Sequence, residues 1–119
     1  MKILYVSSEI TPYAKTGGLA DVGQALPKAV KALGHDIRTV MPKYLSIAEQ
    51  NLALERVTQF TVQMHNGLQG AVLWKTENDS VPTYFIENEA YFNREEFYRL
   101  GDEDYPDNLE RFVFFARRP

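Results

Sequence analysis

Near the start of the chain a lysine stands two residues ahead of a glycine pair, in the run Lys15-Thr16-Gly17-Gly18-Leu19-Ala20-Asp21-Val22. These residue types at this spacing suit an anionic ligand. Glycine has no Cβ, so backbone N–H groups at Gly17 and Gly18 come close to whatever binds there. A helix beginning at this point aims the positive end of its dipole at the same place. Lys15 adds a full positive charge on a flexible stem. Together they would hold a phosphate or a developing anion. The spacing is not the dinucleotide fingerprint, because G-x-G-x-x-G is missing, and in a Walker A loop the lysine follows the glycines. A plainer reading competes, in which the run is a tight strand-to-helix turn with a solvated lysine.

The flanking elements decide where such a loop sits. Ile3 to Val6 is a short apolar run of β-formers, the pattern of a strand buried on both faces of a parallel sheet. Ser7 to Gly18 holds Pro12 and both glycines and reads as a loop. Leu19, Val22, Leu26, Ala29, Val30 and Leu33 then recur at helical spacing and predict one core-facing stripe, stopped by Gly34. Pro27 lies inside that helix and predicts a bend without a break, because residue 23, four back, is a glycine. Ile37 to Met41, ended by Pro42, is a second strand. Strand, loop, helix and strand make a βαβ unit with a right-handed crossover, and in such sheets ligands bind beyond the carboxyl ends of the strands.

The middle of the chain changes period. Phe60, Val62 and Met64 alternate with polar residues, Gln69 to Trp74 is β-prone, and Asn66-Gly67 between them predicts a hairpin. Val81 to Ile86 is a further strand, and Asn88 to Tyr105 is aromatic, charged and partly helical. Asp107 with Glu110 three residues on suggests a capping box, opening a helix whose apolar face would be Leu109, Phe112, Val113 and Ala116. That helix stops abruptly at Arg117-Arg118-Pro119, so the chain reads as ending inside a domain.

Composition narrows the partners. The 119 residues carry 13 Lys and Arg against 16 Asp and Glu, which gives no basic face for nucleic acid. Cysteine is absent, so disulfides and thiolate metal sites are excluded. His35 and His65 lie far apart and make no metal site. His65 reads as exposed beside the turn, and His35 as sitting at the helix end. Asp102-Glu103-Asp104 resembles an Asp-x-Asp metal motif but sits in a charged stretch and reads as solvated acid. Trp74 reads as core. No apolar run approaches the roughly 20 residues of a membrane span, and no leader pattern precedes the first strand. A cytoplasmic protein is expected; a plant protein stripped of its plastid transit peptide would look the same. No cofactor is called for.

The letters carry a resemblance. Ser8-Glu9, Pro12, Lys15 to Val22, Ala25-Leu26-Pro27, Gly34, Val40-Met41-Pro42, Asp107-Asn108 and Arg111-Phe112 resemble the N-terminal signature of glycogen and starch synthases. Tyr44 to Val81 matches poorly in detail. The resemblance implies an α/β fold, the Rossmann-like N-terminal domain of a GT-B glycosyltransferase, with residues 1–119 as a partial domain and a C-terminal nucleotide-binding domain absent. It implies a retaining glucosyltransferase that extends an α-1,4-glucan from ADP-glucose. By the same resemblance Lys15 reaches the donor near its phosphates and transferred sugar, and the Gly18 N–H approaches the same region, with Gly17 beside it counted among the substrate-binding residues. Asp21 lines the cleft, although an acid complementing the helix dipole fits equally. Tyr98 faces the cleft, against the alternative of a tyrosine packing a surface helix. Glu9 is expected to position the loop by hydrogen bonding. No complete catalytic set lies in the chain, so the fragment alone should be inactive. The rival readings are another GT-B enzyme using a UDP-sugar, and a non-catalytic phosphate- or glucan-binding module.

Overall fold

The computed structural model describes residues 1–77, 81–94 and 96–117. Strand β1 (Lys2–Val6) leads through the glycine loop to helix α1 (Gly18–Ala32), which returns to β2 (Asp36–Pro42). The two strands pair in parallel from Lys2 with Asp36 to Val6 with Val40, completing the anticipated βαβ unit. Helix α1 passes through Pro27 without a break. Gly34 ends it with φ of 92°, a conformation that favours glycine, and its N–H caps the Lys31 carbonyl.

After the short helix α2 (Leu45–Glu49) come β3 (Glu55–Met64) and β4 (Gly67–Thr76), the predicted hairpin. Its two turn residues are His65 and Asn66, with Gly67 taking a φ of 113° as it enters β4. Strand β5 (Thr83–Glu87) lies parallel to β2 and antiparallel to β4, so the sheet order is β1-β2-β5-β4-β3. A one-turn helix α3 (Glu89–Phe92), a ribbon of β6 (Arg99–Leu100) and β7 (Glu103–Asp104), and helix α4 (Asn108–Arg117) complete the described chain. Among the described residues no helix is long and apolar enough to cross a membrane.

The core gathers Val40, Met41, Phe85 and Ile86 of the sheet with Tyr44, Ile47, Tyr91, Phe92, Phe114 and Phe115. Four sequence expectations are corrected by the structure. Strand β1 is not buried on both faces: Leu4 and Val6 are 49% and 43% exposed on one face, while Ile3 and Tyr5 on the other face are half-buried. Helix α1 does not pack through its large apolar stripe. Leu19, Val22, Leu26 and Leu33 face solvent, and Ala20, Gly23 and Pro27 are buried instead. A Cβ at Gly23 would stand 3.1 Å from Ile10 Cγ1 and 3.2 Å from the Glu9 carbonyl oxygen, so the helix lies against the loop at a distance only small residues allow. In α4 the buried side is Arg111, Phe114 and Phe115, while Leu109 and Val113 are exposed. Trp74 is half-buried and not core; its indole N–H donates to Glu87 at 3.2 Å.

Candidate functional site

The loop between β1 and α1 runs past the carboxyl end of β1, and a single side chain organises it. Glu9 is 2% exposed. One of its carboxylate oxygens accepts the backbone N–H of Thr16 at 3.1 Å and of Gly17 at 3.2 Å. The other accepts the Thr16 hydroxyl at 2.7 Å and the Tyr98 hydroxyl at 2.6 Å. Burial alone would raise this carboxyl, but the bonds from Tyr98, Thr16 and the two amides outweigh it and hold Glu9 below the ordinary carboxylate value. The expected loop-positioning role of Glu9 matches this geometry.

With Glu9 engaging Thr16 and Gly17, the next amide in the series belongs to Gly18. That residue opens α1, where an N–H has no intrahelical acceptor. A Cβ placed at Gly17 or Gly18 would meet nothing within 4 Å, and neither residue has a positive φ. Packing and backbone strain therefore do not demand glycine at either position. The space in front of them is open. What Gly17 offers a ligand is that space, since its N–H is already bonded to Glu9.

Lys15 and Asp21 meet at 3.0 Å, each about half exposed. Asp21 also accepts the Thr11 hydroxyl at 3.1 Å. The bond from Lys15, then that from Thr11, lowers the Asp21 carboxyl. Asp21 lies in the first turn of α1, so the dipole-complementing role fits its place as well. An exposed ion pair of this kind contributes little to stability, so Lys15 exchanges partners at low cost.

Tyr98 packs on helix α4 through Phe112, as the plainer alternative has it, and its hydroxyl also reaches the root of the glycine loop. It lies in the segment before β6, half-buried, with its ring between Phe97 and Phe112 at centroid distances of 6.2 and 5.8 Å. Its hydroxyl bonds Glu9 and, at 2.8 Å, Ser8. Burial and the Glu9 carboxylate push it up to about 12, so it stays protonated and donates at neutral pH. Thr16, Glu96, Phe97, Tyr98 and Arg99 line an open pocket of about 510 Å³ beside the glycine loop. Lys15, Gly17, Gly18, Asp21 and Tyr98 thus share one neighbourhood, although residue 98 is far from the rest in sequence.

Sequence reasoning missed three supports of this site. The Tyr44 hydroxyl donates to the Ser8 carbonyl at 2.7 Å, and burial raises its pKa. Arg94 binds Asp107 through two bonds of 2.7 and 2.6 Å, so the acid expected as a helix cap serves an arginine fork. Arg111 is wholly buried on α4. It was visible as a lone cation beside Phe112, Phe114 and Phe115, a setting in which a guanidinium must find carbonyl oxygens. His65 is exposed at the turn as expected, while His35 lies 3.4 Å from the Met1 amine. Asp104 faces Arg99 at 3.5 Å across the small ribbon. Among the described residues no group of three or more His, Cys, Asp and Glu is placed to hold a metal ion.

With this geometry established, likeness to known proteins is informative. A family model described as the starch synthase catalytic domain matches residues 2–118. The chain is 46% identical over 118 residues to the glycogen synthase of Syntrophotalea carbinolica and 44% identical to that of Caldicellulosiruptor bescii. Each alignment spans 98% of this chain and 24% of the relative, so the chain covers about a quarter of the length of these proteins. Among solved structures, the catalytic domain of starch synthase IV from Arabidopsis thaliana, bound to ADP and acarbose, superposes with a TM-score of 0.79. Its identity is 26%, over 97% of this chain and 23% of that one.

Proposed function

The chain belongs to the starch synthase catalytic domain family, and from that premise we propose that it forms the N-terminal part of a retaining glucosyltransferase that extends an α-1,4-glucan from ADP-glucose. The observation that carries the reading is the open ground at Gly17 and Gly18. Two glycines that neither packing nor φ requires stand beside a half-exposed cation, at the start of a helix, beyond the carboxyl end of a parallel strand. An approaching anion accounts for all four features. The ADP held by the Arabidopsis relative is the chemistry such a loop would meet.

In this reading the donor's diphosphate comes against the Gly18 N–H, and Lys15 swings from Asp21 to the phosphate or the transferred sugar. As the glycosidic bond breaks, negative charge grows on the leaving phosphate. Preorganised donors at that place lower the barrier. Asp21 and the ring of Tyr98 border the sugar side. The rest of the catalytic groups belong to the remaining three-quarters of the longer protein.

Lys15→Ala tests this in the full-length synthase that carries the segment. Loss of one stabilising group at a developing anion typically costs about 100- to 1000-fold in kcat, with the fold unchanged by circular dichroism. Lys15→Arg should recover part of the loss, because a planar fork replaces a compact charge. The 119-residue chain alone should release no ADP from ADP-glucose in the presence of glycogen. Wild-type kcat and KM for Lys15→Ala would refute the reading.

A further inference from the structure

The Tyr98 hydroxyl is committed to the protein itself. It donates to Glu9 at 2.6 Å and bonds Ser8 at 2.8 Å, two residues at the root of the glycine loop. The backbone that carries Tyr98 is equally committed. Its carbonyl accepts the Asn108 side-chain amide at 2.7 Å and the Tyr105 N–H at 3.0 Å. The neighbouring Phe97 carbonyl accepts from Arg111 at 2.7 Å. Arg111 also donates to the Tyr91 carbonyl at 2.6 Å and the Asn108 oxygen at 2.8 Å, so one buried guanidinium ties α3, the 97–98 segment and α4 together. Aromatic faces of Phe92, Tyr105 and Phe112 surround it at 5.4, 4.9 and 5.3 Å. Only Nε and Nη1 carry these bonds, and Nη2 is buried without a partner among the described residues; displacing the side chain would strand the bonded donors as well, so the guanidinium holds its place.

A continuous chain of bonds therefore runs from Arg111 through Phe97 and Tyr98 to Glu9, and from Glu9 to Thr16 and Gly17. We propose that the Tyr98 hydroxyl is a positioning group for the Lys15–Gly18 loop, acting through Glu9, and that buried Arg111 fixes the point from which it acts. Glu9 spreads its four accepted bonds over both sides of the junction, three from the loop and one from Tyr98. Removing the tyrosine's bond leaves that oxygen held by the Thr16 hydroxyl alone, so the carboxylate turns toward the loop and its loop donors shift with it. The consequence reaches Lys15 because Lys15 immediately precedes Thr16. The inference rests on the donor-loop reading of Lys15 and Gly18.

The test is a set of double-mutant cycles in the full-length synthase, reading kcat, KM for ADP-glucose and the thermal midpoint. Tyr98→Phe keeps the ring packed on Phe97 and Phe112 and deletes only the hydroxyl. It should lower kcat roughly tenfold, as losing a hydrogen bond to a charged group does. In a Lys15→Ala background the same change should cost less than about twofold, because the group being positioned is gone. Glu9→Gln combined with Tyr98→Phe should cost no more than the worse single change. Should Glu9→Gln fail to fold, the Tyr98 and Lys15 cycle decides alone. Equal Tyr98→Phe losses with and without Lys15 would overturn the inference, as would a Tyr98→Phe enzyme of wild-type kcat. If Lys15→Ala itself costs nothing, the donor-loop reading falls and takes this inference with it. If Lys15→Ala is costly while the Tyr98 loss multiplies independently, the positioning role alone falls.

Discussion

Gly23→Ala sets two known effects of opposite sign against each other. In an exposed helix interior, replacing glycine by alanine stabilises by about 0.8–1 kcal/mol, because the unfolded chain loses freedom. Gly23 is buried, and a new Cβ would stand 3.1 Å from Ile10 Cγ1, 3.2 Å from the Glu9 carbonyl oxygen and 3.5 Å from Ile10 Cα. These neighbours yield poorly. Ile10 is 3% exposed, and the Glu9 carbonyl is held by the Ser7 hydroxyl at 2.8 Å. Forcing a methyl into a packed site costs typically about 1–3 kcal/mol. Setting that against the propensity gain leaves a net loss of roughly 0–2 kcal/mol. Urea unfolding of the 119-residue chain, followed by circular dichroism, should show a lowered midpoint at unchanged slope. The same shift presses on the residue that holds the loop, so kcat/KM for ADP-glucose in the full-length enzyme should fall with it. A midpoint raised by a plain propensity gain would refute the claim that α1 and the loop are held at closest approach.

Three further outcomes follow from the same geometry. Gly18→Ala meets no atom within 4 Å, so the thermal midpoint should hold. Its methyl would keep the donor off the N–H and cut kcat/KM on the order of 100-fold, the scale of a 1 Å misplacement; unchanged kinetics would mean that nothing approaches there. Glu9 is held below its ordinary 4.5, so its stabilisation is complete above that pH and disappears as pH falls through the lower folded-state value. Acid unfolding of Glu9→Gln should lack this component, and superimposable acid curves would show that the site does not prefer the ionised form. Finally, β1 presents a free edge among the described residues, with Leu4 and Val6 beside it. The isolated chain should therefore self-associate at micromolar concentration, and a monomer in sedimentation velocity would count against that.

The backbone plan was legible where local chemistry forces a choice. Gly34 ended α1, the Asn66-Gly67 signal marked the hairpin to within one residue of its His65-Asn66 turn, and the apolar run at Ile3 paired with the one at Ile37 as a βαβ unit requires. Helix orientation was not legible. The apolar stripe of α1 has helical spacing, yet the buried side is Ala20, Gly23 and Pro27. Periodicity shows that a helix has two faces; it does not show which face meets a surface that demands small residues. In α4 the same reasoning put Leu109 and Val113 inside and overlooked Arg111, because a pattern of apolar letters gives no weight to a buried cation. The loop residues were found from their types alone. What joins them to Tyr98 is tertiary, since 89 residues separate Glu9 from its partner. Asp107 shows the limit of a local motif: its capping spacing was present, and Arg94, folded onto it from 13 residues away, took the carboxylate.

The charge balance of the loop explains why this segment would serve as one wall of a site. Between Ser8 and Val22 the sequence holds one cation, Lys15, against two carboxylates, Glu9 and Asp21. Glu9 is saturated with donors, and Asp21 already holds Lys15. The helix N-terminus adds about half a positive charge. A donor diphosphate meeting this loop would therefore find one cation that must first leave its partner, and the first amides of α1, beginning with Gly18. That is enough to orient an anion and too little to neutralise two phosphates. The balance has to come from cations elsewhere, and the longer family members have three-quarters of their length in which to supply them. On this account the fixed carboxylate contributes geometry. Glu9 cannot attract the donor, but by drawing in the amides of Thr16 and Gly17 it sets the direction in which Gly18 and Lys15 face outward.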